Sequence, residues 1–167
     1  MRVHSFPPIS DESSRILVLG SMPGKASLRA RQYYAHPQNL FWKIMGALLH
    51  LEPSASYDTR VAGLRDQGIA LWDVLKSCTR EGSLDSEIDE SSIIVNDFPA
   101  FLKQRCQIRT ICFNGKKAEE SFRRYVAPGL AQSGSLACRG LPSTSPANAS
   151  IPYAIKIEAW RAAMRPA

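Results

Sequence analysis

The sequence predicts an α/β fold layered around a mainly parallel sheet. Short apolar runs suited to buried strands alternate along the chain with stretches whose apolar residues recur at helical spacing. No repeat, low-complexity tract or linker interrupts that alternation, so the 167 residues read as one domain, 1–167, long enough to bury a sizeable core.

Residues 15–20 (RILVLG) are an apolar run closed by glycine, as a buried parallel strand should be. A loop rich in Gly, Pro and Ser follows, and residues 40–51 then carry apolar side chains at helical spacing. Residues 57–67 read as a second helix with Gly68 as its C-cap. The next strand is 69–75 (IALWDVL), and the polar stretch 79–92 reads as a loop with a helical turn. A helix over 96–105 precedes a third strand at 109–114 (RTICFN), and another helix begins at Gly115 and runs to about Tyr125. Residues 135–141 form a fourth strand, Pro142 opens a Pro- and Ser-rich loop, and 152–164 fits a final amphipathic helix with Pro152 near its first turn. In open α/β sheets, ligands bind beyond the carboxyl ends of the strands. Three loops are expected to converge there: 20–27, 114–117 and 141–149.

Composition excludes several classes. No apolar run approaches the ~20 residues of a membrane span, and the first fourteen residues, MRVHSFPPISDESS, have no apolar core suited to a signal peptide. A cytoplasmic protein without membrane association is expected. The net charge of +6, with Arg29 near Arg31, Lys116 beside Lys117, Arg123 beside Arg124 and Arg161 near Arg165, suits a phosphate backbone, and equally suits a solvated basic surface. The four cysteines show no CxxC pair and no zinc or iron–sulfur spacing, so buried, reduced thiols are expected, with no metal and no cofactor.

The loop Gly20-Ser21-Met22-Pro23-Gly24-Lys25-Ala26-Ser27 invites a phosphate-loop reading, which its spacing refuses. Three residues rather than four separate the glycines, and Ala26 stands where the magnesium-binding hydroxyl belongs. What the loop offers is main-chain amide able to approach a ligand closely.

Three segments together carry a resemblance: GSMPG at 20–24, Asn114-Gly115-Lys116 after a strand, and LPSTSP at 141–146. In this order and placement they resemble the uracil-DNA glycosylase superfamily. Residues 113–116 (FNGK) and the third loop look like its thymine and mismatch-specific branch. The stretches GSMPGKAS, YYAHPQNLFW at 33–42 and ALWDV at 70–74 are most similar to the hypoxanthine-DNA glycosylase family within that superfamily. The resemblance spans about residues 15–165. It implies a three-layer α/β/α sandwich and DNA containing a deaminated base as the partner. Departures exist. Met22 stands where the mismatch-specific branch has its water-positioning Asn, and the Asp and His landmarks of the best-known uracil branch are missing. The hypoxanthine family shares that lack, and its catalytic Asn matches Asn39.

The chemistry so implied needs the nucleotide flipped into a pocket and preorganised hydrogen bonds to charge developing on the leaving base. Asn114 is the expected reader of the base, since a carboxamide offers the donor and acceptor that match a lactam edge; capping of the following helix is its alternative role. Asn39 is expected to position water or contact the sugar, with an N-cap role equally natural for a residue preceding an apolar helix. Ser21, Met22, Pro23, Gly24 and Tyr34 are expected to line the base, Tyr34 by stacking. Lys25, Ser27, Lys116, Ser143, Thr144, Ser145 and Pro146 are expected to contact DNA, with Lys117 a further candidate. His36 reads as structural or as a phosphate contact, and Asp73 as a loop brace or a water-orienting group. No lysine sits where a Schiff-base nucleophile is expected, which predicts a monofunctional enzyme, acting as a monomer without an obligate protein partner. The rival readings are a uracil or G/U-mismatch glycosylase, a binding module of the same fold without catalysis, and an unrelated α/β enzyme of nucleotides.

Overall fold

In the computed structural model, which describes residues 1–52, 54–131 and 133–165, the chain runs β1 (Arg2–His4), β2 (Ile16–Gly20), α1 (Lys25–Ala30), α2 (Phe41–Leu49), α3 (Tyr57–Asp66), β3 (Ile69–Asp73), β4 (Leu75–Arg80), β5 (Ile88–Val95), α4 (Phe98–Gln104), β6 (Thr110–Asn114), α5 (Lys116–Tyr125), β7 (Ala137–Leu141) and α6 (Tyr153–Ala163). The central sheet is wholly parallel, in the order β3-β2-β6-β7. Its strands β2, β3 and β6 are buried at every position, the mark of a sheet covered on both faces.

The alternation of side chains along those strands builds two separate cores. Leu17, Leu19, Ala70, Trp72, Ile111 and Phe113 face one side and pack with Phe98, Phe101 and Leu102 of α4 and Ala118 and Phe122 of α5. Ile16, Val18, Ile69, Leu71 and Cys112 face the other and pack with Phe41, Ile44 and Met45 of α2, Leu64 of α3, and Trp160 and Ala163 of α6. This is the three-layer α/β/α sandwich expected from the resemblance. Gly68, after α3, takes φ +75°, which only glycine adopts without strain.

Three expectations are corrected. The strand expected at 69–75 ends at Asp73, and the stretch expected as a loop with a helical turn is strand over half its length. Residues 75–80 and 88–95 pair as β4 and β5, with β1 on the other side of β4, in a small antiparallel sheet; a single turn at Asp85–Glu87 is the helical part. The polar face of β5 and the bulges in its register against β4 leave no apolar alternation to read. Helix α1 occupies the second half of the first glycine-rich loop. Of the cysteines, Cys78 and Cys112 are buried, Cys138 is half-buried, and Cys106 is exposed.

Candidate active site

The parallel register sets Gly20 beside Asp73 and Asn114 beside Leu141, so the carboxyl ends of all four central strands share one edge. The expected three loops leave from that edge.

Thr144 is the joint between two of them. It is fully buried, and its backbone N–H donates to Asn114 Oδ1 at 2.9 Å while its hydroxyl oxygen accepts from Asn114 Nδ2 at 2.9 Å. Its carbonyl accepts from the N–H of Leu40 at 3.0 Å, which fastens the segment carrying Asn39 to the same point. Gly115, at φ +96°, keeps the turn after β6 tight; a Cβ there would lie 3.1 Å from Ser143 Cβ. Helix α6 holds the third loop from behind, through Trp160 Nε1 donating to the carbonyl of Pro142 at 3.1 Å and Lys156 Nζ donating to that of Asn148 at 2.7 Å.

The floor beneath these loops is polar. Gly20 ends β2, and a Cβ on it would lie 2.6 Å from Asp73 Oδ1 and 2.9 Å from the Tyr34 hydroxyl. Tyr34 takes a left-handed backbone conformation, φ +55°, and stacks on Phe41 with ring centroids 4.3 Å apart, so Phe41 covers one face and the hydroxyl is aimed at the strand ends. Burial, with the nearby Asp73 charge, raises the Tyr34 pKa, against the opposing influence of the Asn114 side chain. The Asp73 carboxyl, buried at the end of β3, is pushed up to about 7, chiefly by burial and further by Asp85, while Arg80 pulls it down.

The first loop is braced from the small sheet. Arg80, 2% exposed, donates from Nη2 to the Pro23 carbonyl at 2.5 Å; Ser21 Oγ donates to Asp85 Oδ1 at 2.6 Å; and the Lys25 N–H donates to Ser83 Oγ at 3.0 Å. Met22 belongs to the core beneath, and Gly24 packs on Ser83.

A model of the uracil DNA glycosylase superfamily matches residues 7–163. The chain belongs to the uracil DNA glycosylase superfamily. A base-excision DNA glycosylase is the function this membership carries. Two curated Methanosarcina proteins named hypoxanthine DNA glycosylase are similar: one from M. barkeri, 40% identical over 72% of this chain and 75% of its own, and one from M. acetivorans, 43% identical over 69% and 72%. The solution NMR structure of an M. acetivorans protein provisionally assigned as a uracil DNA glycosylase superposes with a TM-score of 0.81 at 34% identity, covering 97% of this chain and 96% of that one.

In the glycosylase the expected site residues divide into two groups. Asn114, Tyr34 and the Ser21–Gly24 segment meet at the strand ends. Asn39 is held beside them by Leu40, which is itself the N-cap of α2; the Asn39 Oδ1 accepts from the Phe41 N–H at 2.9 Å in an Asx turn that leads into the helix. Lys25 and Lys116 are exposed, and neither forms an ion pair among the described residues. Ser27 and Thr144, expected at phosphates, are buried and bond inward, Ser27 Oγ accepting from the Ala35 N–H at 3.1 Å. Ser143 and Ser145 are half-buried; Ser143 Oγ accepts from the Ser145 N–H and Ser145 Oγ caps the turn that begins at Pro146. Lys117 is paired with Glu90, which also accepts from Tyr125. His36 is exposed, its Nδ1 accepting from the Gln38 N–H.

Arg80, Ser83 and Asp85 were not singled out from the sequence. An open groove of about 560 Å³ between Phe6, Ile9, Leu28 and Tyr57 lies off the strand ends, and the polar convergence described above lies elsewhere. Among the described residues no helix is long and apolar enough to cross a membrane.

Proposed function

We propose that this glycosylase is a monofunctional enzyme that flips a deaminated base, hypoxanthine foremost, out of DNA and hydrolyses its bond to the sugar. The observation that carries the reading is the state of Asn114. Thr144 takes one N–H and one lone pair of its carboxamide and so fixes its direction, which leaves the second N–H to donate to the carbonyl of a lactam base. An amino group in place of the lactam carbonyl leaves a buried donor facing a donor, at a cost of about 1–3 kcal/mol. The two curated relatives named for hypoxanthine support the choice of purine.

Asn39 serves the water. Its Oδ1 is spent on the helix, so its Nδ2 is the group that holds the attacking oxygen or the sugar. Ser21, Gly24 and Tyr34 line the base with the backbone of Met22 and Pro23, the Met22 side chain being turned into the core. Lys25, Lys116, Ser143, Ser145 and Pro146 meet the DNA backbone, while Ser27 and Thr144 act from behind by holding those loops. Developing charge on the base is met by fixed dipoles. The enzyme works as a cytoplasmic monomer, with no protein partner required. Uracil is the second reading, favoured by the description of the superposed Methanosarcina structure.

The test is base release from duplexes carrying a single deoxyinosine or deoxyuridine, followed by alkali, with wild type, Asn39→Ala and Asn114→Ala. Release from deoxyinosine that both variants abolish or greatly reduce supports the proposal. Preference for deoxyuridine moves the enzyme to a uracil-type branch. Binding of both duplexes without release overturns catalysis and leaves a binding module.

A further inference from the structure

Between the ends of β2 and β3 two buried polar atoms lack partners. Asp73 Oδ2 and the Tyr34 hydroxyl are shut off from solvent, and neither closes a hydrogen bond of sound geometry, although the Asn114 side chain lies alongside Tyr34. Buried polar atoms are nearly always paired, so two orphans in one floor mark a place kept for an arriving group. Gly20 is what lets the two groups meet: a Cβ there would lie 2.6 Å from Asp73 Oδ1 and 2.9 Å from the Tyr34 oxygen, so both close on its bare Cα.

The titratable and charged groups that face Asp73 are Tyr33 and Tyr34 from the segment after α1, Arg80 from β4 and Asp85 from the turn before β5. Arg80 is engaged with Pro23 and Asp85 with Ser21, and among the described residues no ion pair closes on Asp73.

We propose, on the reading of this site as a hypoxanthine pocket, that Asp73 is a catalytic acid: it donates its proton to the imidazole nitrogen N7 of the flipped purine, with the Tyr34 hydroxyl as the adjoining hydrogen-bond group. The C1′–N9 bond breaks and its electron pair stays with the base. The Asp73 proton moves to N7, so hypoxanthine leaves as a neutral molecule. A water oxygen bonds to C1′ and sheds its proton, and once the base has left, Asp73 regains a proton from the water that enters the emptied site. Burial holds the carboxyl in its proton-bearing form well above the usual carboxylate range, as an acid at neutral pH requires. A pyrimidine has no N7, so the contribution is confined to purines.

The experiment is single-turnover excision by wild type and Asp73→Asn from about pH 5.5 to about pH 9, on deoxyinosine and deoxyuridine duplexes. Binding to a duplex with a tetrahydrofuran abasic analogue controls for folding. Wild type on deoxyinosine should slow about tenfold per pH unit above about pH 7. Asp73→Asn should be slower by about 10²–10⁴-fold near pH 6, with a flat profile, unchanged analogue binding and a much smaller loss on deoxyuridine. A flat wild-type profile, a variant within about threefold of wild type on deoxyinosine, or equal loss on both lesions overturns the assignment of Asp73 and leaves the hypoxanthine reading standing. A wild type that releases no deoxyinosine overturns that reading and this assignment with it.

Discussion

Replacing Thr144 by Val keeps the shape of a fully buried side chain and removes one atom's chemistry. The lost hydroxyl oxygen is the acceptor for Asn114 Nδ2 at 2.9 Å, while the backbone bond from Thr144 N–H to Asn114 Oδ1 remains. One buried amide proton is then left without a partner, which costs about 1–3 kcal/mol. In a chain of this size each kcal/mol moves the melting temperature by about 2–4 °C, so a fall of about 4–8 °C is expected from the middle of that range. Thr144→Ser keeps the hydroxyl and loses a methyl, about 1 kcal/mol, and so should fall less. Activity should separate the two more sharply. With one anchor gone, Asn114 is free to turn, and base release by Thr144→Val should drop by far more than its folded fraction, while Thr144→Ser retains most of it. Thermal denaturation and single-turnover excision measure both. Melting and excision of Thr144→Val equal to wild type would refute the view that this bond holds the site.

Two further outcomes follow from the floor of the site. The Asp73 carboxyl is raised from 3.8 to about 7, so the folded state keeps a proton that the unfolded chain releases between those values. Its contribution is fully present below about pH 3.8 and is lost as the pH rises through about 7, up to about 4 kcal/mol. Asp73→Asn, which does not titrate, should therefore gain stability relative to wild type from about pH 4 to about pH 7 and hold the gain above it; urea denaturation at pH values across that window reads it, and a constant difference would contradict the burial argument. Gly20→Ala would place its Cβ 2.6 Å from Asp73 Oδ1 and 2.9 Å from the Tyr34 oxygen. Overpacking of that kind costs about 1–3 kcal/mol and pushes Asp73 and Tyr34 out of place, so excision should fall sharply while the protein still folds; near-normal activity would show the floor to be no part of the pocket.

Much of the scaffold was legible because it follows from local patterning. Runs such as RILVLG and RTICFN are buried on both faces, and such strands advertise themselves by continuous apolarity. Parallel order then forces their carboxyl ends, and the loops after them, to one edge. Asn114 and the first and third loops could be placed there from sequence, and the family resemblance added Asn39, whose side chain also forms the turn that leads into α2. The small sheet was not legible, since β5 shows a polar face and β4 pairs with bulges, which erases the alternation that announces a strand.

The layered α/β architecture, the edge at which the site lies and the family to which the chain belongs were all readable along the chain, since each depends on residue types near one another in it. Which polar groups are spent on the fold and which remain for a ligand emerges only from the packed molecule. Thr144 is thirty residues from Asn114 and occupies half of its carboxamide. Asp73 reads in the sequence as a loop brace or a water-orienting group, and its raised pKa follows only once Tyr34, Arg80 and Asp85 are packed around it. Desolvation and hydrogen-bond satisfaction are sums over neighbours in space, and for both residues those neighbours come from distant segments of the chain.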